Sequence, residues 1–168
     1  MPSFTLETFI AAPPEVCFDL SLDLDLHQGS MDHTGERIVG GRPGGRIGLH
    51  EYVTWEAIHF GVRQRMTVGI TALERPRRFH DEMLKGAFRR FEHEHTFEAV
   101  PGGTCLRDEL EVEAPVPILG WLVARWVLVP YLTRLMAKRN ALIKARAEAG
   151  RVGGPPSTPA DDSGSFNR

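Results

Sequence analysis

His93-Glu94-His95 is the pair of residues in this chain whose spacing most readily supports chemistry. Residues two apart on a strand share one face and stand about 6–7 Å apart along it, so both imidazoles can meet one bound group. A neutral imidazole is a metal ligand and a proton acceptor near neutral pH. With His59 and either Asp81 or Asp108 beside them, the two histidines could therefore hold a divalent metal, run an acid–base relay, orient a ligand, or simply pair with the acids. Spacing alone selects none of these. Polar pairing or ligand orientation carries the most weight, and no metal or cofactor is assigned. Asp81 and Asp108 could act as paired general acid and base; an inward acid on a strand is more often held by a histidine, a backbone N–H or water.

These side chains need strands to carry them, and period-two patterning supplies the strands. In 88–100, Glu92, Glu94 and Glu98 share a face, which leaves Phe91, His93, His95 and Phe97 on the other. In 104–113, Arg107, Glu109, Glu111 and Glu113 face water, and Leu106, Asp108, Leu110 and Val112 face inward. The same test turns Gln64, Met66, Val68 and Ile70 inward in 62–74, and Phe79, Asp81 and Met83 inward in 78–84. Strand 48–60 is less decisive; Val53, Trp55, Ala57 and His59 form its inner set, with Thr54 and Glu56 outside. Further strands are expected at about 3–11 and 37–40. The summed inner face mixes large apolar groups with His59, Gln64, Asp81, His93, His95 and Asp108. Each polar group buried without a partner costs roughly 1–3 kcal/mol, so these must pair with one another, meet water, or meet a ligand.

Pro13 and Pro14 end the first strand and open a short helix or helix pair that stops near Ser30. Residues 35–48 contain six glycines and one proline and read as a flexible hairpin end near a cavity mouth. Their Gly40-Gly-Arg-Pro-Gly-Gly-Arg46 is not a phosphate loop, because neither Lys-Ser/Thr nor a helix follows. A long helix is expected over 119–149, kinked at Pro130, with Leu122, Trp126, Val129, Leu132, Met136, Asn140 and Ile143 on one face. Lys138, Arg139, Lys144 and Arg146 read as cations at the negative end of its dipole. Trp55, Met66, Met83, Phe91, Trp126 and Met136 are the apolar candidates for a pocket wall. Segment 120–131 is expected to pack on the sheet, with pocket closure or transient membrane contact as the alternatives.

The 168 residues are 42% hydrophobic, enough for one substantial core: a domain at 1–149 and a Gly/Pro/Ser-rich disordered tail at 150–168. The 20 basic and 22 acidic residues are interspersed, which gives no positive field for nucleic acid. Cys17 and Cys105 lack metal-ligand or disulfide-framework spacing and suit a reducing cytoplasm. No signal peptide is evident at the start, and the apolar run 116–132 is too interrupted for stable membrane insertion.

Ile10-Ala-Ala-Pro-Pro-Glu-Val-Cys-Phe-Asp-Leu20 resembles the opening of bacterial SRPBCC proteins of the polyketide cyclase/dehydrase and lipid-transport type. Val53-Thr-Trp-Glu-Ala-Ile-His-Phe-Gly61, Arg78-Phe-His-Asp-Glu-Met83, Phe91-Glu-His-Glu-His-Thr-Phe97 and Gly102-Gly-Thr-Cys-Leu-Arg-Asp108 carry the same likeness, over about 4–149. The resemblance implies an α+β helix-grip fold of the START and Bet v 1-like superfamily, a curved antiparallel sheet around a long C-terminal helix. It also implies a small hydrophobic partner (a lipid, a polyketide-like or another aromatic molecule) held in an internal cavity. Trp55, His59, Met66, Asp81, Met83, Phe91, His93, His95, Asp108, Trp126 and Met136 would contact it. The alternative is a cyclase, dehydratase or hydrolase in which His93 or His95 moves protons and Asp81 or Asp108 fixes the tautomer.

Overall fold

The computed structural model describes residues 3–31, 34–114 and 123–152. Its chain order is β1 (Ser3–Ile10), α1 (Pro14–Ser21), α2 (Leu24–Ser30), β2 (Arg37–Gly41), β3 (Tyr52–His59), β4 (Val62–Glu74), β5 (Arg78–Lys85), β6 (Arg90–Val100), β7 (Gly103–Glu113), a π-helical turn (Ala124–Leu128) and α3 (Val129–Val152). The strands form one curved antiparallel sheet in the order β1-β7-β6-β5-β4-β3-β2. From β2 to β7 each strand pairs with its sequence neighbour, while the α1–α2 pair carries the chain from the β1 edge to the β2 edge. The long helix α3 packs on β1, α1 and α2. This is the helix-grip architecture. Among the described residues no helix is long and apolar enough to cross a membrane.

Local chemistry explains the punctuation. Pro14 opens α1 where a helix needs no N–H partner, and the Asp23 carboxylate caps α2 by accepting the Asp25 and Leu26 amides at 3.0 and 3.1 Å. At the β6–β7 turn, a Cβ on Gly103 would stand 2.1 Å from the Ile10 carbonyl oxygen, so only glycine lets β7 lie against the end of β1. β3 starts at Tyr52 rather than 48. Residues 48–51 close a turn in which the Glu51 amide bonds the Gly48 carbonyl at 3.1 Å and the Glu51 carboxylate accepts the Gly48 amide at 2.7 Å. The glycine-rich stretch is not a free hairpin end: the Leu24 amide donates to the Gly45 carbonyl and the Ile47 amide to the Leu22 carbonyl, which docks it on the α1–α2 junction.

The alternation places Val53, Trp55, Phe79, Phe91, Phe97, Leu106, Leu110 and Val112 inside, as expected. Phe18 of α1 packs edge-on against Phe79 and Phe97, with centroids 5.6 and 5.3 Å away. Burying a phenylalanine side chain there stabilises the fold by about 1.5–3 kcal/mol.

Further expectations need correction. Glu56 lies on the outer face of β3 yet is buried, because Arg37 of β2 and Arg65 of β4 flank it in register and donate to it at 2.5 and 2.7 Å. These two hydrogen bonds pull its pKa down to about 2. Pro130 is accommodated by the π-helical turn just before it rather than by a simple kink. Widening the turn shifts the phase of the residues upstream, so Val129, Leu132, Met136, Asn140 and Ile143 are buried while Trp126 is 70% exposed. Val123 and Val127 are exposed too, so this part of 120–131 does not pack on the sheet. Finally, α3 continues to Val152, past the expected boundary at 149; Leu122 and the rest of the expected tail, 153–168, lie outside the described residues.

Candidate functional site

Three adjacent strands deliver the polar cluster. Asp81 of β5 sits opposite His93 of β6, and His95, two residues on, sits opposite Asp108 of β7. All four side chains point to the face covered by α3. His95 is 1% exposed, His93 4% and Asp108 0%. Asp81 keeps 15% of its side chain open.

The hydrogen bonds define a chain of charge. His93 Nε2 lies 3.1 Å from Asp108 Oδ1, and His95 Nε2 lies 3.0 Å from Asp81 Oδ2. His95 Nδ1 is 2.6 Å from the same Asp108 oxygen, though poorly angled for a hydrogen bond. The two imidazole rings are 3.7 Å apart, and the other face of His95 stacks on Phe79 at 4.1 Å. From α3, Asn140 Nδ2 donates to Asp108 Oδ2 at 2.5 Å and to Thr8 Oγ1 at 3.1 Å. Arg139 donates to the Ser21 carbonyl at 2.8 Å and places Nη1, which has no hydrogen bond, 3.9 Å from Asp108 Oδ1.

Burial and partners set the charge states. Burial and the neighbouring His95 both push His93 down, and these outweigh the hydrogen bond to Asp108. Burial also works against charge on His95, but the Asp108 carboxylate close beside it and the hydrogen bond to Asp81 outweigh it and raise its pKa. Burial opposes ionisation of Asp108 as well; its hydrogen bond to His93 and the close contact with His95 prevail and hold it well below the usual carboxylate range. Asp81 is lowered by the same balance, with burial overcome by the His95 bond. Burial lowers the Arg139 guanidinium from its very high ordinary value. The resulting cluster sets two carboxylates against a guanidinium and two imidazoles that are pushed in opposite directions.

This cluster forms part of the wall of a cavity of about 360 Å³ between the sheet and α3. Of the residues singled out from the sequence, Trp55, His59, Met66, Asp81, Phe91, His93, His95 and Met136 line it. Asp108 stands behind the imidazoles. Met83 is partly buried against the apolar cluster that includes Phe91 and Met136, without lining the cavity. Trp126 is not brought to the site; Val123 and Leu128, its neighbours in the chain, line the cavity instead. His59 Nδ1 is 2.7 Å from the Tyr131 hydroxyl, a contact between β3 and α3 across the cavity rim. Phe60, 61% exposed, and Val123 make that rim apolar.

Arg139 is the functional residue that sequence reasoning misplaces. Its charge suggests a solvated dipole partner, whereas it is 4% exposed and lines the cavity. The signal is present in its spacing: Leu132, Leu135, Arg139 and Ile143 follow three- and four-residue steps along one face, and all four are buried.

Known structures share the architecture. The Thermus thermophilus protein TTHA0849 is 24% identical, covering 87% of this chain and 99% of its own, with a TM-score of 0.67. A START superfamily protein from Mycobacterium smegmatis is 16% identical over 88% of this chain and 97% of its own, TM-score 0.64. The di-domain aromatase/cyclase StfQ of the steffimycin biosynthetic pathway is 17% identical over 90% of this chain and 52% of its own, TM-score 0.71. No curated protein matches the chain. The family model described as polyketide cyclase/dehydrase and lipid transport matches residues 1–148, and the chain belongs to that family.

Proposed function

We propose that this protein binds a small hydrophobic molecule in the cavity between sheet and α3, with the His/Asp/Arg cluster fixing the orientation of its polar end. The observation that carries this reading is a cavity of about 360 Å³ whose wall is mainly apolar yet includes the polar side chains of Asp81, His93 and Arg139. Sites for small molecules are of about 300 Å³ or more, largely apolar, with a few placed polar groups. Burying the ligand's apolar surface supplies affinity at roughly 25 cal/mol per Å². A polarised oxygen on the ligand would be drawn toward the charge of Arg139, and Asp81, open on the same wall, would accept a hydroxyl. Membership of a family that spans lipid transport and cyclase chemistry supports the class of ligand.

A second reading, acid–base catalysis on the bound molecule, is favoured by one observation. The pKa values of His93 and His95 are driven in opposite directions, down and up, on the same cavity wall. Pairs of groups pushed apart in this way assign a base and an acid at one pH. His93 would take a proton through Nδ1, since its Nε2 faces Asp108.

Native mass spectrometry of the purified chain, followed by organic extraction, tests the first reading. A stoichiometric co-purifying compound that leaves on extraction is the expected result, and a preparation that neither carries nor takes up any apolar compound overturns it. With that compound in hand, His93→Gln separates the two: an enzyme loses turnover far more than affinity, and a carrier shows no turnover before or after the change.

A further inference from the structure

We propose that Asp81, His93 and His95 form a binding site for one divalent first-row metal ion, of the zinc or cobalt type, open toward the cavity. On the side away from that site, His93 presents Nε2 and His95 presents Nδ1 to the same oxygen of Asp108, at 3.1 and 2.6 Å. One carboxylate oxygen therefore stands behind both rings. The opposite ring atoms, His93 Nδ1 and His95 Nε2, both face Asp81 Oδ2, at 4.0 and 3.0 Å. One donor atom from each of the three side chains lies within 4.8 Å of the others.

That is the arrangement a metal site needs on both of its levels. Metal-binding histidines hand their second N–H to a carboxylate, which fixes the tautomer and aims the free lone pair. Asp108 does this for His93 and lies 2.6 Å from His95 Nδ1, where a small turn of the ring would align the second bond, and it is itself held by the Asn140 amide at 2.5 Å. Ligand atoms about 2.0–2.1 Å from a tetrahedral ion stand about 3.3 Å apart. The His95–Asp81 pair is already near that separation. The His93–Asp81 pair must close by under an ångström, where Asp81 is the most open side chain of the three, and the two imidazole nitrogens, within 4.8 Å of each other, must close by up to about 1.5 Å through a shift of the rings.

Charge and ligand type narrow the ion. Two imidazoles with one carboxylate suit zinc, cobalt or ferrous iron better than magnesium or calcium, which prefer all-oxygen shells. With both imidazoles neutral, Asp81 and Asp108 supply two negative charges and Arg139 one positive, so a divalent ion leaves the cluster one charge positive. Three protein ligands also leave a coordination position open, as catalytic zinc sites do. Both features would draw an anionic or strongly polarised oxygen from a molecule in the cavity. The site does not rest on the binding function proposed above and can stand or fall separately.

The test uses the full chain, stripped with a chelator and then titrated with cobalt(II) chloride while the visible ligand-field bands are followed, and with zinc chloride by calorimetry. The expected result is one ion per chain with micromolar or tighter affinity. Asp81→Asn should weaken it at least tenfold, and Asn140→Ala, through Asp108, by about 10–100-fold. His80→Asn, whose imidazole pairs with Glu94 3.0 Å away on the opposite face, should leave binding unchanged. Circular dichroism of each variant establishes that the fold is kept. Absence of stoichiometric binding overturns the proposal, and so does binding that survives Asp81→Asn or is lost in His80→Asn.

Discussion

Replacing Asp108 by asparagine keeps the shape of the side chain and removes its charge, and the structure allows the cost to be worked through. Donors converge on Asp108 from His93 Nε2 and Asn140 Nδ2, with His95 Nδ1 in close contact and the Arg139 guanidinium 3.9 Å away. An amide has one acceptor oxygen. Whichever way the new side chain turned, its NH2 would meet another N–H and orphan at least one buried donor, at about 1–3 kcal/mol. The guanidinium, and any proton held on His95, would also face Asp81 alone, and breaking a buried charge pair from one side costs about 3–5 kcal/mol. Part of that is recovered if His95 gives up its proton, so we expect a loss of about 3 kcal/mol. With a urea m-value of about 2 kcal/mol per molar, the midpoint falls by about 1.5 M. The comparison is Asp19→Asn, which removes a more exposed acid paired with Arg75 and Arg46 and should cost under about 1 kcal/mol. Urea melts at neutral pH and at successively lower pH are the assay. Because the folded-state pKa of Asp108 is depressed, its contribution is complete above the unfolded carboxylate value of about 3.9 and is lost as pH falls through the folded value. The gap between wild type and Asp108→Asn should therefore narrow in strong acid. A midpoint within experimental error of that of Asp19→Asn at neutral pH would refute the reasoning.

Further outcomes follow from the same geometry. Nitrogen NMR of the imidazoles at neutral pH should find His95 protonated and His93 neutral; equal charge states in the two rings would remove the acid–base reading. Ala57→Trp places an indole in the cavity from β3, where Ala57 is 5% exposed, and should abolish the co-purifying compound in native mass spectra while the folded far-ultraviolet spectrum is kept. Retention of the compound by that variant would mean the ligand lies elsewhere. Glu56 is ionised down to about pH 2 by Arg37 and Arg65, so its stabilisation is present above the unfolded carboxylate value and drains as pH falls toward 2. Glu56→Gln should flatten the dependence of the urea midpoint on pH in that window, and an unchanged slope would argue against the flanking pair.

How much of this is legible in the chain depends on whether neighbours along the sequence or neighbours in space decide the outcome. The inner faces of β6 and β7 can be read because Glu92, Glu94 and Glu98, and Arg107, Glu109 and Glu111, mark the solvent side without ambiguity. That alone places His93, His95 and Asp108 indoors. Glu56 cannot be read in this way: its burial comes from two arginines on other strands, and only the pairing register aligns them. Trp126 is misplaced for a different reason, because a 3.6-residue period has no means of registering a π-helical turn. For Arg139, position on the buried face is a better guide than charge. The pairing of His93 and His95 with particular acids also requires the register, since Asp81 and Asp108 lie on opposite sides of β6.

The cluster is a poor way to stabilise a fold, and that is the strongest argument that it serves something else. Taking two carboxylates and a guanidinium out of water costs several kcal/mol per ion, and their mutual attraction recovers this only when every donor and acceptor is met. Here His95 Nδ1, Arg139 Nη1 and Asn140 Oδ1 are not met. Well-packed apolar groups of similar volume in such positions are commonly neutral or stabilising by about 1–4 kcal/mol. The combined change D81L/H93L/H95F/D108L/R139M should therefore yield a chain at least as stable as the wild type, yet one that has lost cobalt binding and the orientation of its ligand. Single changes such as Asp108→Asn would be costly and the combined one cheap, because the penalty lies in leaving a charge without its partner rather than in losing the network. If the combined variant instead melts several kcal/mol below the wild type, the polar groups hold the sheet to α3, and the case for a functional centre built on them fails.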